Sequence, residues 1–252
     1  MENKITAYLK RIGYMGTPTL DFDTLHALQR HHLQSVPYEN IDIIRGVPIS
    51  LDLDTIYDKI VTRHRGGYCF ELNALFAWLL RELGFDVKDY FARFLLNETT
   101  IPMRRHHVLG VSFGDEQYLC DVGVGLVIPR KPILLAHAMV SEQDGETFLL
   151  SKQDFLGYVV SDLRDGQWRQ MYCFTEEEQI KPDFEVTSYW CEHHPDSIFN
   201  KSDMVHIFTE NGRKSVAGRE VRLYMPEGVT VINPATAQEY EALLAEHFGI
   251  RI

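Results

Sequence analysis

The sequence predicts an α+β fold, and three observations carry that prediction. Apolar side chains recur at helical spacing through the first eighty-odd residues. From Asp86 onward the period changes to that of strands divided by tight-turn dipeptides, and a helical pattern returns over Ala237 to Phe248. Helices and antiparallel strands are therefore segregated along the chain, which excludes a doubly wound sheet of alternating βαβ units. We find no internal repeat and no low-complexity linker. The expected organisation is a helical stretch 1–85, a β-rich stretch 86–192 and a mixed α/β tail 193–252, with soft boundaries and a shared interface.

The elements follow in order. Leu20, Leu25, Leu28 and Leu33 outline a first helix with Asp21 or Asp23 as N-cap. A second, Leu53 to Val61, has Asp52 or Asp54 in the capping position. The strongest signal is the stripe Leu72, Leu75, Phe76, Leu79, Leu80 and Leu83, stopped by Gly84, which can take the left-handed conformation that ends helices. Strands are expected at Asp86–Phe94, Val108–Phe113 and Gln117–Val122, with Gly114-Asp115 as a turn. Shorter strands follow around Phe148–Leu150, Tyr158–Val160, Trp168–Phe174 and His206–Phe208, with Asp165-Gly166 and Asn211-Gly212 as hairpin turns.

Composition narrows the function classes. With 252 residues, 45% hydrophobic and 12% aromatic, the chain can bury a sizeable core, so collagen-like and disordered classes are excluded. Its 25 Lys+Arg against 36 Asp+Glu leave a formal charge of −11, which repels a phosphate backbone and disfavours generic nucleic-acid binding. The first residues, Met1 to Thr6, lack the apolar core of a signal peptide. No apolar run approaches the ~18 residues of a membrane span, and the densest, Ala74 to Leu80, ends at Arg81-Glu82. A soluble, cytoplasmic protein with no nucleic-acid or membrane partner is expected. Four cysteines, Cys69, Cys120, Cys173 and Cys191, are too sparse for a disulfide framework, and none forms a CxxC pair.

The question is whether one of them is a reactive thiol. Arg65-Gly66-Gly67-Tyr68-Cys69-Phe70-Glu71-Leu72-Asn73 places two glycines, able to adopt tight or positive-φ conformations, just before a cysteine at the mouth of the strongest helix. Unpaired N–H groups and the helix dipole favour a thiolate there, and Arg65 could add to that field. A buried, inert cysteine after an ordinary loop is the competing reading. A nucleophilic thiolate needs a base, and the base an orienting group. His106-His107 open one strand, and Asp121 closes its antiparallel neighbour across the Gly114-Asp115 turn, so the carboxylate can reach an imidazole.

These residues carry a resemblance. Residues 65 to 73 match the R-G-G-x-C-x-E-x-N pattern of the arylamine N-acetyltransferases throughout. Val36-Pro37-Tyr38-Glu39-Asn40-Ile41 is similar to their V-P-F-E-N-L, and Asp121-Val122-Gly123-Val124-Gly125 to their D-V-G-F-G. The segment from Met204 to Phe208 through Gly218 to Val221 is weakly similar too. The resemblance implies a helical bundle, a central antiparallel β-barrel-like domain and a C-terminal α/β lid around a cysteine-protease/transglutaminase-like catalytic core. It implies Cys69 as nucleophile, a histidine as base and Asp121 as its orienter. The family places that histidine fifteen positions before the aspartate, which selects His106, as His106 lies fifteen before Asp121; His107, facing the other side of the strand, is set aside.

The implied reaction moves an acetyl group from acetyl-CoA, a co-substrate and not a tightly bound cofactor, through acetyl-Cys69 to an arylamine, arylhydrazine or arylhydroxylamine, as in xenobiotic metabolism. Arg65, Arg104, Gly123, Val124 and Gly125 are candidates for binding substrate or CoA. A solvated basic pair is the plainer reading of Arg104-Arg105. Glu39, Asn40, Glu71 and Asn73 are expected to brace the site. Two departures, Tyr38 and Val124 in place of the family's aromatics at those motif positions, bear on which ring or acyl group fits. Cys191-Glu192-His193-His194 lacks the spacing of a zinc site, so no metal is expected, and Glu176-Glu177-Glu178 reads as a solvated loop. The alternatives are a related amide synthase, a Cys-His-Asp acyl hydrolase, or a non-catalytic module binding aryl amines or CoA on the same fold.

Overall fold

Asn3 and Asp21 open the first two helices by accepting backbone N–H groups, from Ile5 at 3.0 Å and Thr24 at 2.8 Å. The computed structural model describes residues 3–125 and 128–252. Helix α1 spans Lys4–Arg11 and α2 spans Phe22–Ser35. Leu25, Leu28 and Leu33 face the core, whereas Leu20, expected on the same stripe, precedes the Asp21 cap and is 56% exposed. A two-residue strand, β1 (Tyr38–Glu39), and the short helices α3 (Ile41–Ile44) and α4 (Leu53–Tyr57) follow.

Asp52 caps α4 through the Thr55 N–H at 3.0 Å. The helix does not continue regularly to Val61: residues 58–62 form a π turn that carries Lys59, Ile60 and Val61 inward together. Regular α spacing would spread three consecutive residues over different faces. The turn lets Lys59 lie buried, 2.8 Å from each of Asp42 and Glu71. Helix α5 (Cys69–Glu82) buries Leu72, Leu75, Phe76, Leu79 and Leu80 completely, each contributing about 1.5–3 kcal/mol by leaving water. Gly84, at φ +96°, ends it.

Eight strands follow: β2 (Asp86–Phe94), β3 (His106–Phe113), β4 (Glu116–Cys120), β5 (Ile133–Leu134), β6 (Met139–Gln143), β7 (Glu146–Gln153), β8 (Gly157–Arg164) and β9 (Gln167–Glu178). They form one antiparallel sheet in the order β5-β4-β3-β2-β9-β8-β7-β6, whose edge strands β5 and β6 come into contact so that the sheet curls into a nearly closed barrel. Asp165 and Gly166 both take positive φ, as a two-residue hairpin requires. Glu176-Glu177-Glu178 ends β9 as an exposed strand end, and the helix after it, α6 (Lys181–His193), has only a weak apolar stripe in the sequence.

A second sheet, in the order β1-β10-β11-β12-β13, comprises β10 (Met204–Thr209), β11 (Gly212–Ala217), β12 (Glu220–Met225) and β13 (Gly228–Ile232), joined by β1 from near the other end of the chain. Tyr38 pairs with His206 and Glu39 with Val205. The β10–β11 turn is Glu210-Asn211, one residue earlier than expected, because Gly212 already pairs with Thr209 and has no room for a Cβ against the Tyr224 carbonyl. Helix α7 (Ala237–Phe248) closes the fold. One hydrophobic core runs from Tyr8 to Phe208 with α5 at its centre, and a smaller one lies under α7. Among the described residues, no helix is long and apolar enough to cross a membrane.

Candidate active site

Cys69 is the first residue of α5, where unpaired N–H groups and the helix dipole favour negative charge. Gly66 and Gly67 serve close approach rather than a left-handed turn, since neither takes positive φ. A Cβ on Gly66 would lie 2.0 Å from the Pro37 carbonyl oxygen. That proximity lets the Glu39 N–H donate to the Gly67 carbonyl at 2.8 Å, so β1 grips the loop that presents the cysteine.

β3 starts beside this helix end. The Arg105 carbonyl accepts from Cys69 Sγ at 3.8 Å, and the backbone N–H groups of His107 and Phe70 point at the sulfur. His106 thus lies between two residues whose backbones flank the thiol. Its Nε2 is 2.7 Å from Asp121 Oδ2, and its ring packs against Phe94 and Tyr172. Because an ionised carboxylate only accepts, Nε2 carries the proton and Nδ1, buried and without a hydrogen-bond partner, is left bare.

Asp121 follows the last residue of β4, so the expected strand to Val122 ends early and the chain turns there. The turn lets Asp121 Oδ1 accept from Gly123 N–H at 2.9 Å and Asn73 Nδ2–H at 3.0 Å. Asn73 also donates to the His107 carbonyl at 2.7 Å and accepts from Val122 N–H, tying α5 to both strands. A Cβ on Gly123 would lie 2.7 Å from the Cys69 Cα. His107 faces the other side of β3, with Nε2 2.7 Å from Asp89 Oδ1 and its ring stacked on Phe184.

Burial, then the neighbouring Cys191, push the Cys69 thiol well up, while the two backbone N–H groups pull it back. An isolated thiolate is disfavoured here. Ionisation requires handing the proton to a neighbour that becomes cationic, and a bare Nδ1 backed by a carboxylate can receive it.

Cys69 opens onto a cavity of about 400 Å³, which Gly123, Val124 and Gly125 also line. Arg65 and Arg104, expected to bind there, are directed elsewhere. Arg65 donates to Glu39 at 3.0 and 2.8 Å and to Asp42 at 2.9 Å, compensating the buried Glu39 and sharing Asp42 with Lys59. Arg104 reaches Glu177 and Thr175 on β9. Glu39 and Asn40 brace: Glu39 accepts from Ile41 N–H and Arg65, while Asn40 joins Phe199, Ser202 and Met204 of the C-terminal stretch.

Cys120, Cys173 and Cys191 are buried free thiols. His193 and His194 engage nearby backbone, and among the described residues no group of three or more His, Cys, Asp and Glu is gathered as metal ligands. Three features escaped the sequence reading. Tyr172 packs on His106 and lies near enough to Asp121 for that charge, after burial, to raise its hydroxyl. Phe199, Met204 and Val216 wall the cavity from the C-terminal stretch. Arg105 is half-buried at the cavity instead of fully solvated. Only Arg105, beside the selected histidine, had a positional signal.

Similarity to known proteins places this fold and its cysteine-centred cavity among the acyltransferases. A family profile described as N-acetyltransferase matches residues 21–252. The arylamine N-acetyltransferase of Escherichia coli is 36% identical over 97% of this chain and 88% of the relative, and that of Mycolicibacterium smegmatis 32% over 99% and 93%. The structure of the M. tuberculosis arylamine N-acetyltransferase superposes with a TM-score of 0.90 at 33% identity, covering 98% of this chain and 93% of that one. The M. marinum arylamine N-acetyltransferase in complex with CoA gives 0.89 at 31%, covering 98% and 92%. The chain belongs to the arylamine N-acetyltransferase family.

Proposed function

We propose that this protein transfers the acetyl group of acetyl-CoA to an arylamine, arylhydrazine or arylhydroxylamine through an acetyl-Cys69 intermediate. The observation that carries the reading is a buried thiol at a mainly apolar cavity, flanked by the backbone of the strand that bears His106, whose ring is held by a carboxylate at Nε2 and bare at Nδ1. CoA as donor rests on the CoA complex of a relative, and the acceptor class on the relatives' activity. Within this reading the stretch 1–85 supplies the nucleophile, 86–192 the base and its orienting carboxylate, and 193–252 covers the cavity.

In the first half-reaction His106 Nδ1 takes the Cys69 proton, and the sulfur attacks the thioester carbonyl. The carbon–sulfur bond to CoA breaks, and the departing thiolate recovers the proton from His106. In the second, the acceptor nitrogen attacks acetyl-Cys69, losing its proton to His106, and the Cys69 sulfur leaves and is reprotonated. Asp121 holds the ring and stabilises the imidazolium at each stage. Backbone N–H groups at the start of α5 are the candidate oxyanion donors. Gly123, Val124 and Gly125 contact the acyl group or the ring. Mass spectrometry after acetyl-CoA alone should show one acetyl group on Cys69, discharged by an added arylamine. An enzyme that acetylates arylamines while Cys69 stays unmodified rules the mechanism out, and release of acetate without amine dependence would make it a hydrolase.

A further inference from the structure

The cavity over Cys69 is walled by apolar groups such as Phe94, Leu96, Phe199 and Val216, and among the described lining residues Arg105 alone carries a full charge. Its guanidinium makes one charge-assisted bond, Nη2–H to Glu98 Oε1 at 3.0 Å, and its side chain is 14% exposed against 35% for Glu98. Nε is buried without a partner. A guanidinium offers five N–H donors in a planar fork that matches a carboxylate, so most of this capacity is unused, and a buried donor left unmet is uncommon in a settled structure. Glu98 balances the charge while engaging a single N–H group.

The cation faces the same space as the cavity wall. Burial raises the Tyr38 hydroxyl and takes the Cys191 thiol up to about 12, and in both cases the Arg105 charge acts in the opposite direction. The Arg105 carbonyl lies 3.8 Å from Cys69 Sγ, and Arg105 and Cys69 line the same cavity, so the cation and the reacting carbon share one space. In an acyl-CoA the phosphates are separated from the thioester sulfur by the whole pantetheine arm. An anion met by Arg105 therefore belongs to the acyl group or to the acceptor.

We infer that Arg105 is a specificity-determining residue that selects substrates bearing a carboxylate near the reacting centre, either on the ring of the aryl acceptor or at the end of a short acyl chain. This rests on the acyl-transfer reading above. Charge-assisted pairing of this kind corresponds to a preference of roughly ten- to hundredfold over a neutral isostere.

The test has an acceptor arm, 4-aminobenzoate against 4-aminobenzamide with acetyl-CoA, and a donor arm, malonyl-CoA against butyryl-CoA with 4-aminobenzamide. The expected result is a kcat/KM ratio of about tenfold or more for the anionic member in one arm, which identifies the source of the carboxylate. That ratio should collapse toward unity in Arg105→Gln and be partly retained in Arg105→Lys. A ratio near unity in both arms for the wild-type enzyme, or a preference that survives Arg105→Gln, overturns the inference while leaving acetyl transfer intact. Protection of wild-type Cys69 from iodoacetamide needs no turnover: benzoate or malonate should protect better than benzamide or malonamide. Should no amine be acetylated, the acyl-transfer reading falls, and the protection ratios still decide Arg105; equal protection within both pairs refutes it.

Discussion

Replacing Asp121 by Asn removes one charge and reverses one hydrogen bond, and the structure says which. Asp121 is buried and accepts three donors: His106 Nε2–H at 2.7 Å, Asn73 Nδ2–H at 3.0 Å and Gly123 N–H at 2.9 Å. The amide oxygen of Asn can keep the Oδ1 partners, Asn73 and Gly123. Its NH₂ group then stands where Oδ2 was and donates to His106 Nε2. The imidazole must move its proton to Nδ1, and the nitrogen proposed as base is blocked. Wrong-tautomer substitutions of this type cost roughly a thousand- to ten-thousandfold in rate. The lost charge-assisted bond costs about 1.5–3 kcal/mol of stability, roughly 3–12 °C in Tm for a chain of this size, so the variant should remain folded. Single-turnover acetylation of Cys69 by acetyl-CoA, followed by mass spectrometry, reads the rate directly. The pH profile of Cys69 alkylation should move to higher pH, because without an imidazolium partner burial dominates the thiol. Acetylation of the variant within about tenfold of wild type would refute the assignment of His106 as base and Asp121 as its orienter.

Other expectations test neighbouring parts of the site and fold. His106→Gln should lose roughly a hundredfold or more in kcat/KM, whereas His107→Gln, whose amide can still reach Asp89, should stay within about tenfold; the opposite order reverses the choice of histidine. Gly123→Ala drives a methyl into the Cys69 Cα and Asn73 Nδ2, so it should cost about 1–3 kcal/mol in urea unfolding together with most of the activity, and a fully active variant contradicts the close packing of this turn. Burial pushes both His32 and His206 down to about 3. The unfolded chain takes up protons below about pH 6.5 and the native one only near pH 3, so stability is full above 6.5 and falls as the pH drops toward 3. The loss is about 2 kcal/mol for each histidine at pH 5. In His206→Phe the drop in unfolding free energy between pH 7 and 5 should shrink by about that amount; an unchanged drop would show that His206 is not held neutral.

Much of the fold was legible because its signals are local. The apolar stripe of α5, its Gly84 stop, the strand Asp86–Phe94 and the Asp165-Gly166 hairpin are each written within a few consecutive residues, and they appear where the periodicity places them. Helix α6 was not legible, because its stripe is weak and its position is decided by packing of Phe184 against Phe70 and Phe91. The π turn after α4 was hidden too, since what draws Lys59 inward is Asp42 and Glu71 on other elements. Arg65 and Arg104 show the same limit: both are cations within or beside motif residues, and buried or strand-borne carboxylates far along the chain claim them.

By itself, then, the sequence determined the α+β class, a cysteine at a helix start, and a histidine and an aspartate at facing strand ends. These follow from short-range periodicity, capping and motif spacing. Tertiary structure alone decided which imidazole nitrogen is bare, that Asn73 ties Cys69's helix to both strands, and which residues of the C-terminal sheet line the cavity beside the thiol. It also turned Arg105 from a surface residue into the one charge that the described residues place on the cavity wall. The reason is physical: a side chain's partner, burial and protonation depend on groups brought together by long-range packing, and local spacing carries no record of them.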